Sequence, residues 1–437
     1  MRYADQVSEI MNAFSPVPLE AEQMEQFYCA DTMEYRMNDK YCSPIEDIYD
    51  VCTEQNGTCA MLLLGHKGCG KSTELNRMSA RLRDAGYQVR TIVCSTDLDL
   101  FNLVYSDLFI LMGEELLRMA DECGCQIDQE LLRRIQLFWQ QTSEITVCQE
   151  TAATSMEAGA SVNTPGLMEK VLKFFMKVKA DLKYNEETRK EYRKIISARS
   201  SDWISLLGQI ADRIAQKSDG HKPIIIFEDL DKLNPEDAWK VFYHYAAVLS
   251  GMPFPLIYTF PIGLSYDPRF SALEAYFITK TLPMIKIETI TGEKYEDGIG
   301  VIRKVVEKRA NCALFEQGVL ERLISYTGGS FRDLFHAINA SAKRAVRRRS
   351  DSISMEDASR ALEELKTSLT RRIEQRDYEF LLNIYRGNKE LIQDKEMLLK
   401  MLQASVVLEY NGKRWHNVHP LVAQFLKDQG LIGDERK

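Results

Sequence analysis

The residues with the clearest chemistry lie in one stretch between Gly65 and Thr73, which reads Gly-His-Lys-Gly-Cys-Gly-Lys-Ser-Thr. Glycines at this spacing let successive backbone N–H groups converge on phosphate oxygens at the positive end of a following helix. Lys71 is expected to neutralise the β- and γ-phosphates, and the Ser72 hydroxyl to bind Mg²⁺. The residues predicted to bind phosphate are Gly65, His66, Lys67, Gly68, Cys69, Gly70, Lys71, Ser72 and Thr73.

The flanking residues predict the elements that such a site needs. An apolar run from Cys59 to Leu64 indicates a buried strand, and Leu75, Met78 and Leu82 recur at helical spacing after the loop. Strand, glycine-rich loop and amphipathic helix, in this order, distinguish a phosphate-binding loop (P-loop) from an incidental turn with a Lys-Ser pair. We therefore predict a P-loop between the first strand and its helix.

A second buried strand is predicted to supply acidic residues. Four apolar residues, Ile224 to Phe227, fit a strand buried on both faces, and Glu228 and Asp229 follow at its carboxyl end, where parallel sheets bind ligands. Glu228 is expected to face Mg²⁺, and Asp229 to orient the attacking water. In the alternative interpretation the two acids only end the strand and cap the helix that follows Pro235. Asp231 is predicted to be structural.

Two further residues are candidates for sensing a γ-phosphate. Thr259 lies near the end of a predicted strand, Pro255 to Phe260, where its hydroxyl would reach phosphate or water, although threonine is also an ordinary strand residue. Arg332 follows the helix cap Ser330 and lies in the first helical turn, where the helix dipole disfavours a cation. A bound anion accounts for this arginine, and a surface ion pair is the alternative.

Composition limits the remaining classes of function. The chain has 437 residues, 27% of them charged and 45% hydrophobic, which is typical of a folded protein of several domains. A net charge of −8 argues against binding nucleic acid through the whole surface. The ten cysteines lack zinc-site spacing, and we expect reduced thiols in a cytoplasmic protein without a signal peptide. Prolines and glycines interrupt the apolar run 241–266, so no membrane span is predicted.

Taken together, the P-loop, the acidic strand, the strand with Thr259 and the segment Gly-Gly-Ser-Phe-Arg-Asp-Leu resemble an AAA+ P-loop ATPase. Within that superfamily the chain looks closest to the origin-recognition and initiator-loading clade and to related bacterial signalling (STAND-like) ATPases. The resemblance covers about 59–366 and implies an α/β fold with a parallel sheet core, a helical lid and a C-terminal winged helix. It also implies ATP and Mg²⁺ as ligands, handled by Lys71, Ser72, Glu228, Asp229, Thr259 and Arg332.

The chain departs from this family in two places. The family usually has Asp before Glu at the end of the acidic strand, whereas Glu228 precedes Asp229 here, which shortens the side chain that polarises water and implies slow turnover. In the family, an arginine after the first-sensor strand normally completes a partner's site, and only Arg269 is available at that place here. Arg269 is therefore either a trans-acting finger or an ordinary loop arginine.

The motifs also set the domain boundaries. We predict an N-terminal helical lead-in (1–58), a nucleotide-binding core (59–290), a helical lid (291–366) and a winged-helix-like domain (367–437). An insertion at about 123–200 interrupts the core. In the lead-in, Tyr35 and Arg36 are candidates for the surroundings of the adenine, with packing as the default interpretation.

Three basic segments are candidates for binding a partner. Segment 166–199 of the insertion carries ten Lys or Arg against five Asp or Glu, and it either packs on its own domain or binds a partner, a membrane surface or nucleic acid. Five cations lie between Lys343 and Arg349 at one helix end, which suits either solvation or contact with duplex DNA. Asn411-Gly412 predicts a hairpin with Lys413 and Arg414 at its tip, which would contact DNA or a protein.

Two function hypotheses remain. In the first, the chain binds and hydrolyses ATP as an AAA+ switch whose nucleotide state controls assembly on DNA or on a partner protein. In the second, it is a nucleotide-locked scaffold or sensor in a bacterial signalling or anti-phage defence system, with little turnover of its own. A processive motor is disfavoured because the sequence shows one nucleotide core and no aromatic-glycine pore loop. Self-assembly or a partner protein is expected, and integral membrane contact is not.

Overall fold

A five-stranded parallel sheet forms the centre of the molecule. The computed structural model describes residues 1–37, 43–54, 59–140, 166–410 and 414–433. The strand order is β2-β3-β4-β1-β5, and every pairing is parallel. The strands are β1 (Ala60–Gly65), β2 (Val89–Val93), β3 (Ile224–Glu228), β4 (Leu256–Pro261) and β5 (Ile278–Thr281). The fold class predicted from the sequence, an α/β protein with a P-loop and a parallel sheet core, is confirmed.

The helices form three groups along the chain. Those before the sheet are α1 (Ile10–Ala13), α2 (Ala21–Phe27), α3 (Thr32–Met37) and α4 (Pro44–Glu54). Those of the core are α5 (Lys71–Asp84), α6 (Cys94–Asp97), α7 (Tyr105–Glu122), α8 (Gln129–Gln140), α9 (Leu167–Tyr184), α10 (Glu186–Ala198), α11 (Ser200–Lys217), α12 (Pro235–Phe242), α13 (Ala246–Ser250) and α14 (Phe270–Leu273). The last are α15 (Glu296–Glu307), α16 (Val319–Tyr326), α17 (Phe331–Arg347), α18 (Met355–Thr370), α19 (Tyr378–Tyr385), α20 (Lys395–Gln403) and α21 (Pro420–Asp428).

Alternate residues of the central strands face two hydrophobic cores. On one face, Met61 of β1 and Ile226 of β3 pack with α4 and α5. On the other face, Leu62 and Phe227 pack with α7, α11 and α12. A strand buried on both faces needs an unbroken apolar run, and for this reason β1 and β3 were visible in the sequence. The carboxyl ends of these strands meet at one edge of the sheet, which positions the P-loop beside the acidic residues.

The basic insertion segment packs on its own domain. The apolar stripe of α9 is buried, and its Phe175 stacks on Trp203 of α11 with ring centroids 5.9 Å apart. A cation of the same segment also pairs within the domain, since Arg193 of α10 lies 2.6 Å from Asp107 of α7. The structure thus favours the packing interpretation over a free interaction surface. Residues 141–165 of the insertion lie outside the described chain.

The N-terminal residues divide their contacts between α17, a helix of the predicted lid, and the sheet. Phe14 packs edge-on against Phe335 of α17 at 5.4 Å, and Asn339 donates to the Phe14 carbonyl at 2.8 Å. By contrast, α4 packs on the sheet. The residues of the predicted lead-in therefore contact both the sheet and α17.

A single hairpin interrupts the helices of the C-terminal region that the structure describes. Its strands, β6 (Val407–Tyr410) and β7 (Trp415–Val418), pair antiparallel between α20 and α21. The predicted turn at Asn411-Gly412, with Lys413, lies outside the described residues. Helices followed by a hairpin agree with the pattern from which a winged helix was predicted, and that domain assignment stays a prediction. Among the described helices, none has the length and apolar character needed to cross a membrane.

Candidate functional site

A cavity of about 350 Å³ lies where the P-loop meets the acidic residues after β3. Its volume is within the range of small-molecule sites. The P-loop, α5 and the acidic segment contribute Lys67, Gly68, Gly70, Lys71, Ser72, Thr73, Glu74, Glu228, Asp229, Asp231 and Lys232. The N-terminal segments and the lid contribute Pro16, Val17, Pro18, Leu19, Phe27, Tyr28, Cys29, Thr32, Arg36, Val305, Arg309, Phe331, Arg332 and Phe335.

The P-loop backbone takes a conformation that its glycines permit. Gly68 and Gly70 have φ angles of +85° and +103°, in the left-handed region that side chains disfavour. A Cβ added to Gly68 would lie 2.5 Å from Cβ of Arg332. The Phe331 N–H also donates to the Gly68 carbonyl at 3.1 Å. Helix α17 of the predicted lid therefore begins in contact with the P-loop, and this contact places Arg332 at the cavity.

Lys71 forms a buried ion pair with Asp231. Its Nζ lies 2.9 Å from Oδ2 of Asp231 and donates to the carbonyls of Gly65 and His66 at 2.8 and 3.0 Å. Burial, the largest single influence, lowers the pKa of Lys71, but the Asp231 charge and the hydrogen bond to it, with a contribution from Cys69, together raise the pKa above its ordinary value. Burial alone would raise the pKa of Asp231, and the Lys71 charge lowers it instead. Asp231 is thus the counter-ion of the P-loop lysine.

Glu228 is a buried carboxylate with one unused oxygen. It is 5% exposed, and its Oε1 has no hydrogen-bond partner among the described residues. Burial raises the pKa of Glu228, and a hydrogen bond with Ser72 opposes that shift. The structure therefore brings together Ser72 and Glu228, the two residues predicted to hold Mg²⁺. Oxygen ligands of this kind are the ones that Mg²⁺ takes in proteins.

Asp229 lines the cavity, and both of its carboxylate oxygens are engaged. Oδ1 lies 2.6 Å from Nζ of Lys232, and Oδ2 accepts a hydrogen bond from the Ser95 hydroxyl just after β2. The backbone of Asp229 has a φ of +71°, a left-handed conformation that Asp tolerates better than most residues. These two contacts hold the carboxylate in place and leave a lone pair on each oxygen for a water.

Thr259 does not line the cavity. Its hydroxyl donates to the Phe227 carbonyl at 3.3 Å and accepts from the Leu230 N–H at 3.1 Å. The expected contact with phosphate or water is therefore not the one that this structure shows. Because Leu230 directly follows Asp229, the buried threonine instead positions the turn that carries the acidic side chain.

Four cations that line the cavity have no acidic partner among the residues that the structure describes: Arg36, Lys67, Arg309 and Arg332. Arg332 forms neither a hydrogen bond nor an ion pair there, so the alternative of a surface ion pair is not observed. Lys67, in the P-loop, is half-buried, and burial lowers its pKa while Asp231 opposes and Arg332 reinforces that shift. The site thus presents unneutralised positive charge, as a site for a polyanion requires.

Gly65, His66 and Cys69 belong to the predicted phosphate-binding set, yet they do not line the cavity. The His66 ring is fully buried, and its Nε2 accepts a hydrogen bond from the Glu409 N–H of β6 at 2.8 Å. Burial lowers the pKa of His66 to about 3, so the ring is neutral near pH 7. The His66 ring is therefore bonded to a backbone group of the C-terminal hairpin, and the place of this residue in the phosphate-binding loop stays a prediction.

Arg269 is held by its neighbours in this structure. Its Nη2 lies 2.5 Å from Oδ2 of Asp267, and its guanidinium lies over the Trp239 ring at 4.5 Å from the centroid. These contacts describe an ordinary loop arginine. A role in a neighbouring subunit would require release from Asp267, and that role stays a prediction.

The sequence did not reveal how the N-terminal residues enclose the cavity. The Leu19 N–H donates to Oγ1 of Thr73 at 3.3 Å, and Arg309 of the lid donates to the Phe27 carbonyl at 3.1 Å. Of the two candidates for the adenine surroundings, Arg36 lines the cavity and Tyr35 does not. These partners are far apart along the chain, so no local pattern announces them.

No family model matches the sequence, and no curated protein matches it. Matching solved structures include Cdc6p from Pyrobaculum aerophilum, with 12% identity, 96% of this chain and 98% of that chain covered, and a TM-score of 0.37. The Aeropyrum pernix ORC2 protein (ADPNP-ADP complexes) has 11% identity, 99% and 100% coverage and a TM-score of 0.39. The Thermotoga maritima RuvB Holliday junction branch migration motor has 11% identity, 91% and 98% coverage and a TM-score of 0.34. These TM-scores are too low to assign a fold or a role by similarity. The α/β assignment therefore depends on the parallel sheet and the P-loop of this chain.

Proposed function

We propose that the chain is an ATP-binding and ATP-hydrolysing AAA+ switch whose nucleotide state controls assembly on DNA or on a partner protein. One observation carries the proposal. Lys71 and Ser72 of the P-loop, Glu228 of β3 and Arg332 of the lid line the same cavity. Because Arg332 belongs to another part of the chain than the first three, a ligand with several phosphates would bridge core and lid.

The phosphate end of the cavity suits ATP with Mg²⁺. The N-cap of α5 is Gly70, which has no side-chain cap, so backbone N–H groups of the first turn are available to phosphate. Ser72 and the unused Oε1 of Glu228 are the groups that would hold the ion. Bound Mg²⁺ neutralises charge on the β- and γ-phosphate oxygens.

The other end of the cavity suits a purine ring. Phe27, Val305 and Phe335 supply apolar surface there, and Pro16 and Val17 of the N-terminal segment line the same region. A flat aromatic base gains burial against such side chains. We therefore propose a purine nucleoside triphosphate, ATP, as the ligand.

One contact of the P-loop would change when a triphosphate binds. Lys71 would exchange Asp231 for phosphate oxygens, which leaves Asp231 to the neighbouring cations. Asp229 would accept a proton from the attacking water through a lone pair that Lys232 and Ser95 leave unused. Since Arg332 moves with the lid, the position of the lid depends on whether a γ-phosphate is present. Release of that phosphate would end the contact.

The engaged state of Asp229 favours a second candidate function. Lys232 and Ser95 hold its two oxygens in place, and Asp is also shorter than the Glu usual at this place. In that case ATP mainly locks one conformation, and the chain acts as a scaffold or sensor in a bacterial signalling or anti-phage defence system. Measured turnover separates the two candidates.

The proposed partner surfaces lie in the C-terminal half. Between Lys343 and Arg349, two arginines are neutralised by Glu364 and Asp357, at 3.4 and 2.8 Å, while the remaining cations have no acidic partner in the described part of the chain. With the winged-helix-like domain (367–437), this helix end is the proposed contact for duplex DNA. We further propose that residues 291–366 form a helical lid. We also propose that the chain self-assembles and that it is cytoplasmic.

The test measures ATP binding and phosphate release with Mg²⁺, with and without duplex DNA. Lys71→Ala is expected to lose ATP binding, whereas Asp229→Ala is expected to bind ATP and lose phosphate release. Asp212→Asn removes an exposed carboxylate away from the cavity and is the matched control. Failure of the wild type to bind any purine nucleotide contradicts the proposal. Binding without turnover supports the scaffold.

Assembly is tested on the same preparations. Size measurement with ADP, with a non-hydrolysable ATP analogue and with duplex DNA is expected to show a nucleotide-dependent change in mass. An identical monomer under all three conditions contradicts the proposed control of assembly. A shift with DNA alone assigns DNA as the partner class.

A further inference from the structure

Arg36 at the end of α3 is a fully buried arginine. Only 1% of it is exposed. Its Nη1 donates to the Pro283 carbonyl at 2.6 Å, and its Nη2 to the Cys69 carbonyl of the P-loop at 2.5 Å. One nitrogen of the guanidinium, Nε, is therefore buried without a hydrogen-bond partner in the described part of the chain.

Arg36 also lacks a counter-ion. Both of its hydrogen bonds go to neutral carbonyls, and it forms no ion pair with any carboxylate in the described ranges. Two other cations of the same cavity are neutralised, since Lys71 pairs with Asp231 and Lys232 with Asp229. A buried guanidinium without a negative partner is costly unless a ligand provides one.

The position of Arg36 identifies the end of the cavity that it serves. Nη2 lies 3.4 Å from where a Cβ on Gly70 would be, beside the backbone that caps α5. Its guanidinium also lies 5.6 Å from the centre of the Phe331 ring at the start of the lid helix. The arginine is thus at the P-loop, whereas the apolar surface suited to a base is formed by Phe27, Val305 and Phe335.

We propose that Arg36 is a positioning residue that supplies, from outside the P-loop, positive charge for the phosphate chain of the bound nucleotide. The proposal rests on the proposed nucleotide site and deepens it. A phosphate chain provides the negative charge that no carboxylate of the described residues provides to this guanidinium. Since Arg36 bonds the P-loop and lies against Phe331, it also connects the N-terminal segment to the parts of the chain that contact phosphate.

The test compares the affinities of the full chain for ATP, ADP and adenosine, each with Mg²⁺. Arg36→Gln is expected to weaken ATP and ADP binding about tenfold or more, and to leave adenosine binding within about twofold, because adenosine has no phosphate. Arg36→Lys keeps the charge and is expected to restore most of the lost affinity for ATP. Adding salt should weaken ATP binding more for the wild type than for Arg36→Gln.

Arg309 provides a matched control. It is also buried, lines the same cavity, has an unpartnered Nε and donates to the carbonyls of Phe27 and Val305 at 3.1 and 3.0 Å. It contacts no P-loop residue. Arg309→Gln is therefore expected to change the affinities for ATP and adenosine by similar factors.

Several outcomes would overturn the proposal. Equal loss for ATP and adenosine in Arg36→Gln indicates a structural role, and unchanged ATP affinity also contradicts the proposed charge. The proposal is also contradicted if Arg309→Gln weakens ATP binding relative to adenosine binding by the same factor as Arg36→Gln does. If Arg36→Gln does not fold, Arg36→Lys decides, since retained ATP affinity supports the charge and a uniform loss for all ligands opposes it. A wild type that binds no nucleotide rejects the proposed function itself.

Discussion

The two sides of the P-loop differ in the kind of polar group that is left without a partner. On the cavity side, Oε1 of Glu228 and Nε of Arg36 are buried and have no hydrogen-bond partner among the described residues. On the opposite side, Nε2 of His66 accepts from the Glu409 N–H at 2.8 Å, while Nδ1 of His66 and Nε2 of His419 are the buried atoms without a partner there. The Glu409 carboxylate in turn accepts from the Tyr266 hydroxyl at 2.7 Å.

The hairpin is also bonded to the turn that precedes α17. The Tyr410 hydroxyl of the hairpin donates to the Gly328 carbonyl at 2.9 Å, and two residues later Ser330 caps the helix that carries Arg332. The buried groups without a partner on the cavity side are thus a carboxylate oxygen and a guanidinium nitrogen, whereas those beside the C-terminal hairpin are ring nitrogens of neutral histidines. Buried charged groups are normally paired, so the cavity side marks where a charged ligand belongs.

The largest expected effect is on the buried ion pair of the cavity. Asp231→Ala leaves Lys71 buried without a counter-ion and is expected to lower the free energy of unfolding of the nucleotide-free chain by about 3–5 kcal/mol. Urea unfolding measures the loss. ATP with Mg²⁺ should restore part of it, because phosphate replaces the missing carboxylate. An unchanged unfolding midpoint would show that the pair contributes nothing.

Acid is expected to weaken the hairpin side. Burial lowers the pKa values of His66, His416 and His419 to about 3, 4 and 4, from an ordinary value of about 6.5. Below that value the unfolded chain binds protons that the folded chain does not, so stability falls as pH drops. The expected loss is about 1 kcal/mol per histidine between pH 7 and 5.5.

Urea unfolding at several pH values measures this loss. His66→Gln keeps a hydrogen-bond acceptor but does not titrate, so its stability should fall less steeply with pH than that of the wild type. Parallel curves for the two proteins would mean that His66 takes up its proton in the folded state.

Removal of the acceptor at His66 is expected to have a smaller effect. His66→Ala leaves the Glu409 N–H buried without a partner, which costs about 1–3 kcal/mol, and hydrogen exchange should accelerate in β6. His221→Ala serves as the control, because this histidine stacks on Tyr87 away from the hairpin. Unaltered exchange in β6 would place the attachment of the hairpin in its other contacts.

The smallest expected effect has the opposite sign. Glu228→Gln replaces a buried carboxyl group, whose pKa burial raises, with an uncharged amide. A group of this kind favours the folded state when protonated, and that contribution is lost as pH rises through its folded pKa. The variant is therefore expected to melt about 1 °C higher near neutral pH and to bind ATP with less dependence on Mg²⁺. A lower melting temperature would show that the carboxylate is fully paired in the folded chain.

Some of the candidate site could be read from local spacing. The apolar run before Gly65 and the one before Glu228 predicted buried strands, and the order of these strands predicted one ligand-binding edge. The helix cap at Ser330 and the unfavourable position of Arg332 in the first helical turn were also predicted from neighbouring residues. Side-chain caps and the helix dipole act within one turn of the helix end.

Other features of the site depend on contacts between distant parts of the chain and could not be read from local spacing. The Thr259 hydroxyl and the His66 ring nitrogen are bonded to the backbone of other segments. Asp231, which was predicted to be structural, pairs with Lys71 in the folded chain.

The sequence by itself determined the P-loop, the alternation of strands and helices and the presence of two carboxylates at a sheet edge, because each depends on residues close together in the chain. Only the tertiary structure decided which carboxylate neutralises Lys71, which side of the loop holds the hairpin, and that Arg36 and Arg332 reach the same cavity. Burial and pairing are properties of the folded environment, and no residue carries them in its type or its spacing.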